Sequence, residues 1–176
     1  FIDFFSPNSV VFPKKSQSRS VKISQIVDSS NKVIKSSVFF AIKGTSSDGH
    51  KYIKDAIKKG AILIVLENSD FISEIKATPY IVVNDTRRYY EKMCSLFFGR
   101  QDEWMFNIGV TGTNGKTSTT YIIEYLLHAH GIKTGVIGTV NHRVGKKVWP
   151  TNHTTPDPWT VHSRYNDFRK QGAQAT

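Results

Sequence analysis

The chain has 176 residues, 39% hydrophobic and 22% charged, the balance of a soluble globular protein with room for one ordinary core or two small ones, which excludes disorder throughout. No run approaches the roughly 20 apolar residues needed to span a bilayer, and residues 1–11 lack the basic leader and small-residue cleavage site of a secretory signal, so a soluble, cytoplasmic protein is expected. The formal net charge of +10 is spread over separated pairs (Lys14-Lys15, Lys58-Lys59, Arg87-Arg88, Lys146-Lys147), which argues against a nucleic-acid or membrane partner and leaves a general attraction for small phosphate-bearing anions.

In chain order, Val38 to Ile42 reads as a buried strand, His50 to Lys59 as a helix with Tyr52, Ile53, Ala56 and Ile57 on one side, and Ala61 to Leu66 as a second strand. Gly60 fits the helix C-terminus. Pro79 to Val83 is a third strand, and Asn84 or Asp85 caps a helix that runs to about Phe98 and stops at Gly99. The lone Cys94 lies on the apolar segment of that helix, where a free cysteine packs as a small hydrophobe. The alternation predicts an α/β domain over residues 1–101, bounded by the polar stretch 99–103, and a second domain over residues 102–176.

That second part is predicted to open with a strand from Met105 to Val110, turn through a glycine-rich loop and enter a helix from Lys116 to about His130, with Ile122, Ile123, Leu126 and Leu127 as its apolar face. Gly131 stops the helix, and Lys133 to Val140 returns as a strand, completing a βαβ unit. Asp157 caps a last helix with Pro158 in its first turn and Val161, Tyr165 and Phe168 on one side. His128 and His130 face different directions, so no shared metal is expected there.

The chemistry lies in the loop. A strand that ends in Gly112-Thr113-Asn114-Gly115-Lys116-Thr117-Ser118 and feeds a helix can turn successive backbone N–H groups into one concavity beside the positive helix end, and so hold phosphate. Lys116 adds a full charge, and Thr117 offers a hydroxyl to a Mg²⁺ ion bridging the terminal phosphates of ATP. The usual pattern has glycine where this chain has Val110, between Gly109 and Gly112, and the loop is also not the Gly-x-Gly-x-x-Gly of dinucleotide folds.

The variant running from Gly109 to Thr117 resembles the ATP loop of the Mur ligase superfamily, enzymes that build the peptide of cell-wall precursors. Gly135-Val136-Ile137-Gly138-Thr139 and Thr154-Thr155-Pro156-Asp157-Pro158 are similar to segments C-terminal to that loop in the branch adding the third amino acid. Asp28-Ser29, Val38 to Ala41, Gly44, Asp48-Gly49-His50 and Gly60-Ala61 resemble the family's uridine-binding domain, with Ser30 in place of the usual Arg, and His153 where Asn is common.

The resemblance implies an α/β fold in which a small N-terminal uridine-nucleotide-binding domain precedes the start of a P-loop-type ATPase domain, truncated here. It implies that Val27, Ser29, Thr45, Ser46 and Ser47 contact the uridine diphosphate end of the substrate, and that His153, Thr154 and Thr155 hold the muramoyl dipeptide. It implies that Gly112 to Ser118 bind ATP, with Lys116 catalytic and Thr117 on Mg²⁺. The implied reaction is ATP-dependent ligation of an amino acid to UDP-N-acetylmuramoyl-L-alanyl-D-glutamate. The family's acidic metal-binding segment, modified lysine and amino-acid-binding domain would lie beyond Thr176, so these 176 residues alone are expected to be inactive as a ligase and to expose an apolar edge of an incomplete sheet. The alternatives are a folylpolyglutamate-type or sister ligase, or a nucleotide-binding module without turnover.

Overall fold

The computed structural model describes residues 10–11, 22–45, 47–75, 77–151 and 155–176. By its internal contacts the chain divides into two compact units, Phe1–Met93 and Cys94–Thr176, a division inside a helix and somewhat before the polar stretch 99–103.

The first unit is built on a five-stranded sheet in the order β1-β5-β4-β3-β2. The strands are β1 (Val10–Val11), β2 (Gln25–Val27), β3 (Ser37–Ala41), β4 (Ala61–Leu66) and β5 (Tyr80–Val82). β2 through β5 run parallel, and β1 pairs antiparallel with β5. Every residue of β3 is buried, as the apolar run from Val38 to Ala41 requires of a strand covered on both faces. Alternate residues serve opposite sides: Phe39, Ala41, Ile64 and Leu66 join Ile53 and Ala56 of α1 (Ile53–Lys58) in one cluster, while Phe40 faces Tyr90 of α2 (Thr86–Phe97) with ring centroids 5.3 Å apart. The helix predicted from His50 begins as a 3-10 turn, Gly49–Tyr52, before α1.

The Asp48-Gly49-His50 segment explains itself structurally. Asp48 caps the turn through the backbone N–H of His50 (3.0 Å) and meets its ring Nδ1 at 2.6 Å. The ring's Nε2 accepts from the N–H groups of Glu67 and Asn68, both at 3.2 Å, so Nδ1 carries the proton and donates to Asp48. Desolvation pushes the Asp48 carboxyl up, but the bonds from His50 and the charge of Lys43 hold it below its ordinary value.

The second unit departs from the sequence reading. Met105 to Val110 forms no strand of its own: Phe106 makes a parallel bridge to Ala175, and Ile108 N–H donates to the Thr176 carbonyl at 2.8 Å. Thr134 also bridges Ala175 in parallel, so residues 174–176 lie between the two expected strands and supply the ladder that either would otherwise lack. The predicted strand Lys133 to Val140 shortens to β6 (Gly135–Ile137), because the chain reverses at Gly138 to Val140 into β7 (Asn141–Val144) and β8 (Lys147–Pro150), an antiparallel three-stranded sheet. Between the Phe106 and Thr134 bridges runs α3 (Lys116–Ala129), and α4 (Pro158–Lys170) closes the unit, its N-terminus capped by Asp157 accepting from Thr160 N–H at 2.7 Å.

Phe168 of α4 is the centre of the second core, with Met105, Val144, Ala173 and Trp149 around it. It presses on Gly135, where a Cβ would fall 2.2 Å from the ring, so only glycine fits. By contrast α3 buries no residue, and Ile122, Tyr125 and Leu126 are 60%, 72% and 52% exposed. Ile122 and Leu126 of its apolar face are therefore open to solvent, while Ile123 and Leu127 are half-buried. Among the described residues no helix is long and apolar enough to cross a membrane.

His142, opposite Trp149 in the β7–β8 register, is buried with neither ring nitrogen hydrogen-bonded among the described residues. Burial first, then the nearby Arg164 charge, pushes its imidazole below the ordinary value. The unfolded chain accepts this proton more readily than the folded one, so stability is full above the ordinary histidine pKa of about 6.5 and falls as the pH drops below it. Melting curves between about pH 8 and about pH 5 should show a smaller acid loss in H142L than in the wild type; equal losses would remove His142 as the cause.

Candidate phosphate-binding site

Residues 111–115 form the turn ahead of α3. Gly112 has φ 144° and Gly115 φ 76°, backbone angles open to glycine and strained for other residues, which is why two glycines stand at the start of the helix. Lys116 opens α3 and folds back over the loop, its Nζ donating to the carbonyls of Gly112 at 2.6 Å and Thr113 at 3.4 Å. Those bonds hold the ammonium in the mouth of the loop, close to where an anion on the helix N-terminus would sit.

A pocket of about 270 Å³ lies over this turn, lined on one side by Gly112, Lys116, Thr117, Thr120 and Tyr121 and on the other by Gly138 to Asn141 and Arg143, with Thr155 at its edge. The structure thus brings Gly112, Lys116, Thr117 and Thr155 into one cavity, while Thr113, Asn114, Gly115 and Ser118 belong to the surrounding turn and first helical turn. Thr120, Tyr121, Asn141 and Arg143 were missed in the sequence. The first two could have been found from their spacing, since Thr120 stands four after Lys116 and Tyr121 four after Thr117, and a step of four returns to the same side of a helix.

In the first unit, Ser29 and Ser47 line a second pocket of about 370 Å³ together with Asp28, Asn31, Tyr52 and Asp55. The turn that carries Ser47 is closed by Gly44 N–H on the Ser47 carbonyl (2.8 Å), and the Ser47 hydroxyl meets that of Tyr52 at 3.2 Å. Thr45 is exposed on that turn, whereas the Val27 side chain is packed into the core and leaves only its backbone for a ligand. Ser46, His153 and Thr154 lie outside the described residues.

Two family profiles match the chain: the Mur ligase family catalytic domain over residues 22–95 and the Mur ligase middle domain over residues 110–176. Among curated proteins, the UDP-N-acetylmuramoyl-L-alanyl-D-glutamate–2,6-diaminopimelate ligase of Aquifex aeolicus (strain VF5) is 42% identical over 153 residues, covering 87% of this chain and 31% of that protein. The protein of the same name from Geobacter sulfurreducens is 38% identical over 149 residues, 83% of this chain and 28% of its own length. The chain therefore spans about 30% of the curated relatives it matches. A solved structure of a ligase of that name superposes with a TM-score of 0.72 at 23% identity, over 93% of this chain and 33% of the other, which shows a shared fold.

Proposed function

Because the chain belongs to the Mur ligase family, in its N-terminal and middle domains, we propose that it forms the UDP-sugar-binding and ATP-binding portions of a ligase that adds the third amino acid to UDP-N-acetylmuramoyl-L-alanyl-D-glutamate. The observation that carries this reading is the pairing, in one chain, of the Lys116 loop with a first unit whose Ser29 and Ser47 line a separate pocket. Residues 1–101 would take the uridine diphosphate end of the substrate, through Ser29, Thr45, Ser46, Ser47 and the Val27 backbone. Residues 102–176 would take ATP, with His153, Thr154 and Thr155 on the muramoyl dipeptide.

In the reaction, a substrate carboxylate oxygen attacks the γ-phosphorus of ATP, giving an acyl phosphate and ADP; the incoming amine then displaces inorganic phosphate and leaves an amide. The loop's share is positioning and charge neutralisation, the two means by which phosphoryl transfer is mainly catalysed. Lys116 must exchange its bonds to Gly112 and Thr113 for the β- and γ-phosphates, which are stronger acceptors. Mg²⁺, when bound, neutralises charge on the transferred phosphoryl group. Within these residues the Thr117 hydroxyl would be the ligand offered to that ion.

The test is the protein in its full encoded length, incubated with Mg·ATP, the UDP-muramoyl dipeptide and 2,6-diaminopimelate or lysine. UDP-muramoyl tripeptide should appear with one ADP per amide formed. Turnover on a folate or another Mur intermediate, with none on this dipeptide, would sink the proposal.

A further inference from the structure

Arg143 of β7 lines the phosphate pocket, and its guanidinium is taken up by protein partners. Nε donates to both carboxylate oxygens of Glu124, at 3.1 and 3.0 Å, and Nη2 donates to Glu124 Oε2 as well. Nη1 donates to the Asn141 side-chain oxygen at 3.0 Å, and the guanidinium lies over the Tyr121 ring at 3.9 Å from its centroid. The Arg143 and Glu124 side chains are only 11% and 24% exposed, so this is a mostly desolvated, forked pair rather than a loose surface contact.

Its connections matter more than its strength. Glu124 and Tyr121 stand on α3, the helix that Lys116 opens, and Asn141 ends the turn that forms the opposite wall of the pocket. One guanidinium thus ties both walls together, with Glu124 cancelling its charge. We propose that Arg143 is a positioning residue of the phosphate pocket: clamped by Glu124, it fixes the wall from Gly138 to Asn141 against the helix carrying Lys116 and Thr117. This rests on the reading of the pocket as an ATP site.

Three expectations separate a clamp from a direct phosphate ligand and from a merely structural pair. Lysine at position 143 keeps the charge but not the fork that reaches Glu124 and Asn141 together. R143K should therefore melt close to the wild type while binding Mg·ATP about tenfold more weakly, the scale of one lost hydrogen bond to a charged group. E124Q removes the charge that cancels the guanidinium and one of the two oxygens that hold it; a direct ligand would then bind ATP more tightly, whereas a clamp binds it more weakly. In the nucleotide-free chain, amide exchange at residues 138–141 should quicken in both variants.

Calorimetry with Mg·ATP and hydrogen exchange on the protein in its full encoded length decide the matter. Weaker ATP binding in both variants, with faster exchange at the turn, supports the clamp. ATP binding in E124Q at or above the wild-type level, or unchanged exchange at residues 138–141, overturns it. If the wild-type full-length protein binds no ATP, the ATP reading fails, and the exchange measurement still decides whether Arg143 holds the wall.

Discussion

Replacing Lys116 with alanine should weaken Mg·ATP binding by about 100-fold, the combined scale of two charge-assisted hydrogen bonds, and leave the fold intact. The fold should survive because the ammonium's partners are carbonyls of its own loop at the surface, Gly112 and Thr113, and no buried group loses a partner when it goes. Calorimetric titration with Mg·ATP, beside a melting curve, checks both halves. The same variant should keep most of its binding of the UDP-muramoyl dipeptide, since Ser29 and Ser47, which take the uridine end, belong to the other unit, while Thr155 at the dipeptide end shares the Lys116 pocket. Equal loss of both ligands would mean one shared site instead of two.

The second large effect is in the first unit. A Cβ on Gly49 would stand 2.6 Å from the Ile42 carbonyl oxygen and 2.7 Å from the Ile42 nitrogen, both backbone atoms that no rotamer change can move. Gly49 N–H also donates to that carbonyl at 2.9 Å, so the end of β3 and the start of the 3-10 turn must part in G49A. Strain of this kind, with a lost hydrogen bond, costs about 3 kcal/mol and should lower the melting temperature of that unit by about 10 °C or more. Gly49, Ile42 and Ser47 line the same pocket, so UDP-muramoyl dipeptide binding should fall with it. A G49A protein melting near the wild type would show that the backbone relaxes there at little cost.

These two residues also show what the sequence could carry. The loop from Gly112 to Ser118 was legible because phosphate chemistry demands particular residue types at fixed spacing. Three strands of the first unit were legible, β3 and β4 as continuous apolar runs and β5 between turn residues, while β1 and β2, only two and three residues long, were not read. Gly49 and His50 were visible only as matches to a family text. Their physical reason, a backbone approach to Ile42 and a ring that joins Asp48 to the N–H groups of Glu67 and Asn68, needs contacts distant in sequence.

The second unit was harder to read for a related reason. β7 turns His142 and Val144 inward and keeps Arg143 for a half-buried ion pair, so its text, Asn-His-Arg-Val, looks like a polar loop. Lys146-Lys147, which reads as a surface charge pair, sits at the hairpin turn and the start of β8. The segment from Met105 to Val110 looks like a strand by composition, but its pairing depends on residues 174–176. Arg143 and Asn141 became candidates for the pocket only when the hairpin folded them back onto α3.

The most direct measurement is a paired calorimetric titration of the protein in its full encoded length with Mg·ATP and UDP-N-acetylmuramoyl-L-alanyl-D-glutamate, each alone and then with the other already bound. Each ligand should bind once per chain, neither displacing the other. Displacement of one by the other, or failure of the UDP-muramoyl dipeptide to bind at all, would contradict a chain that joins an ATP loop to a separate UDP-sugar pocket.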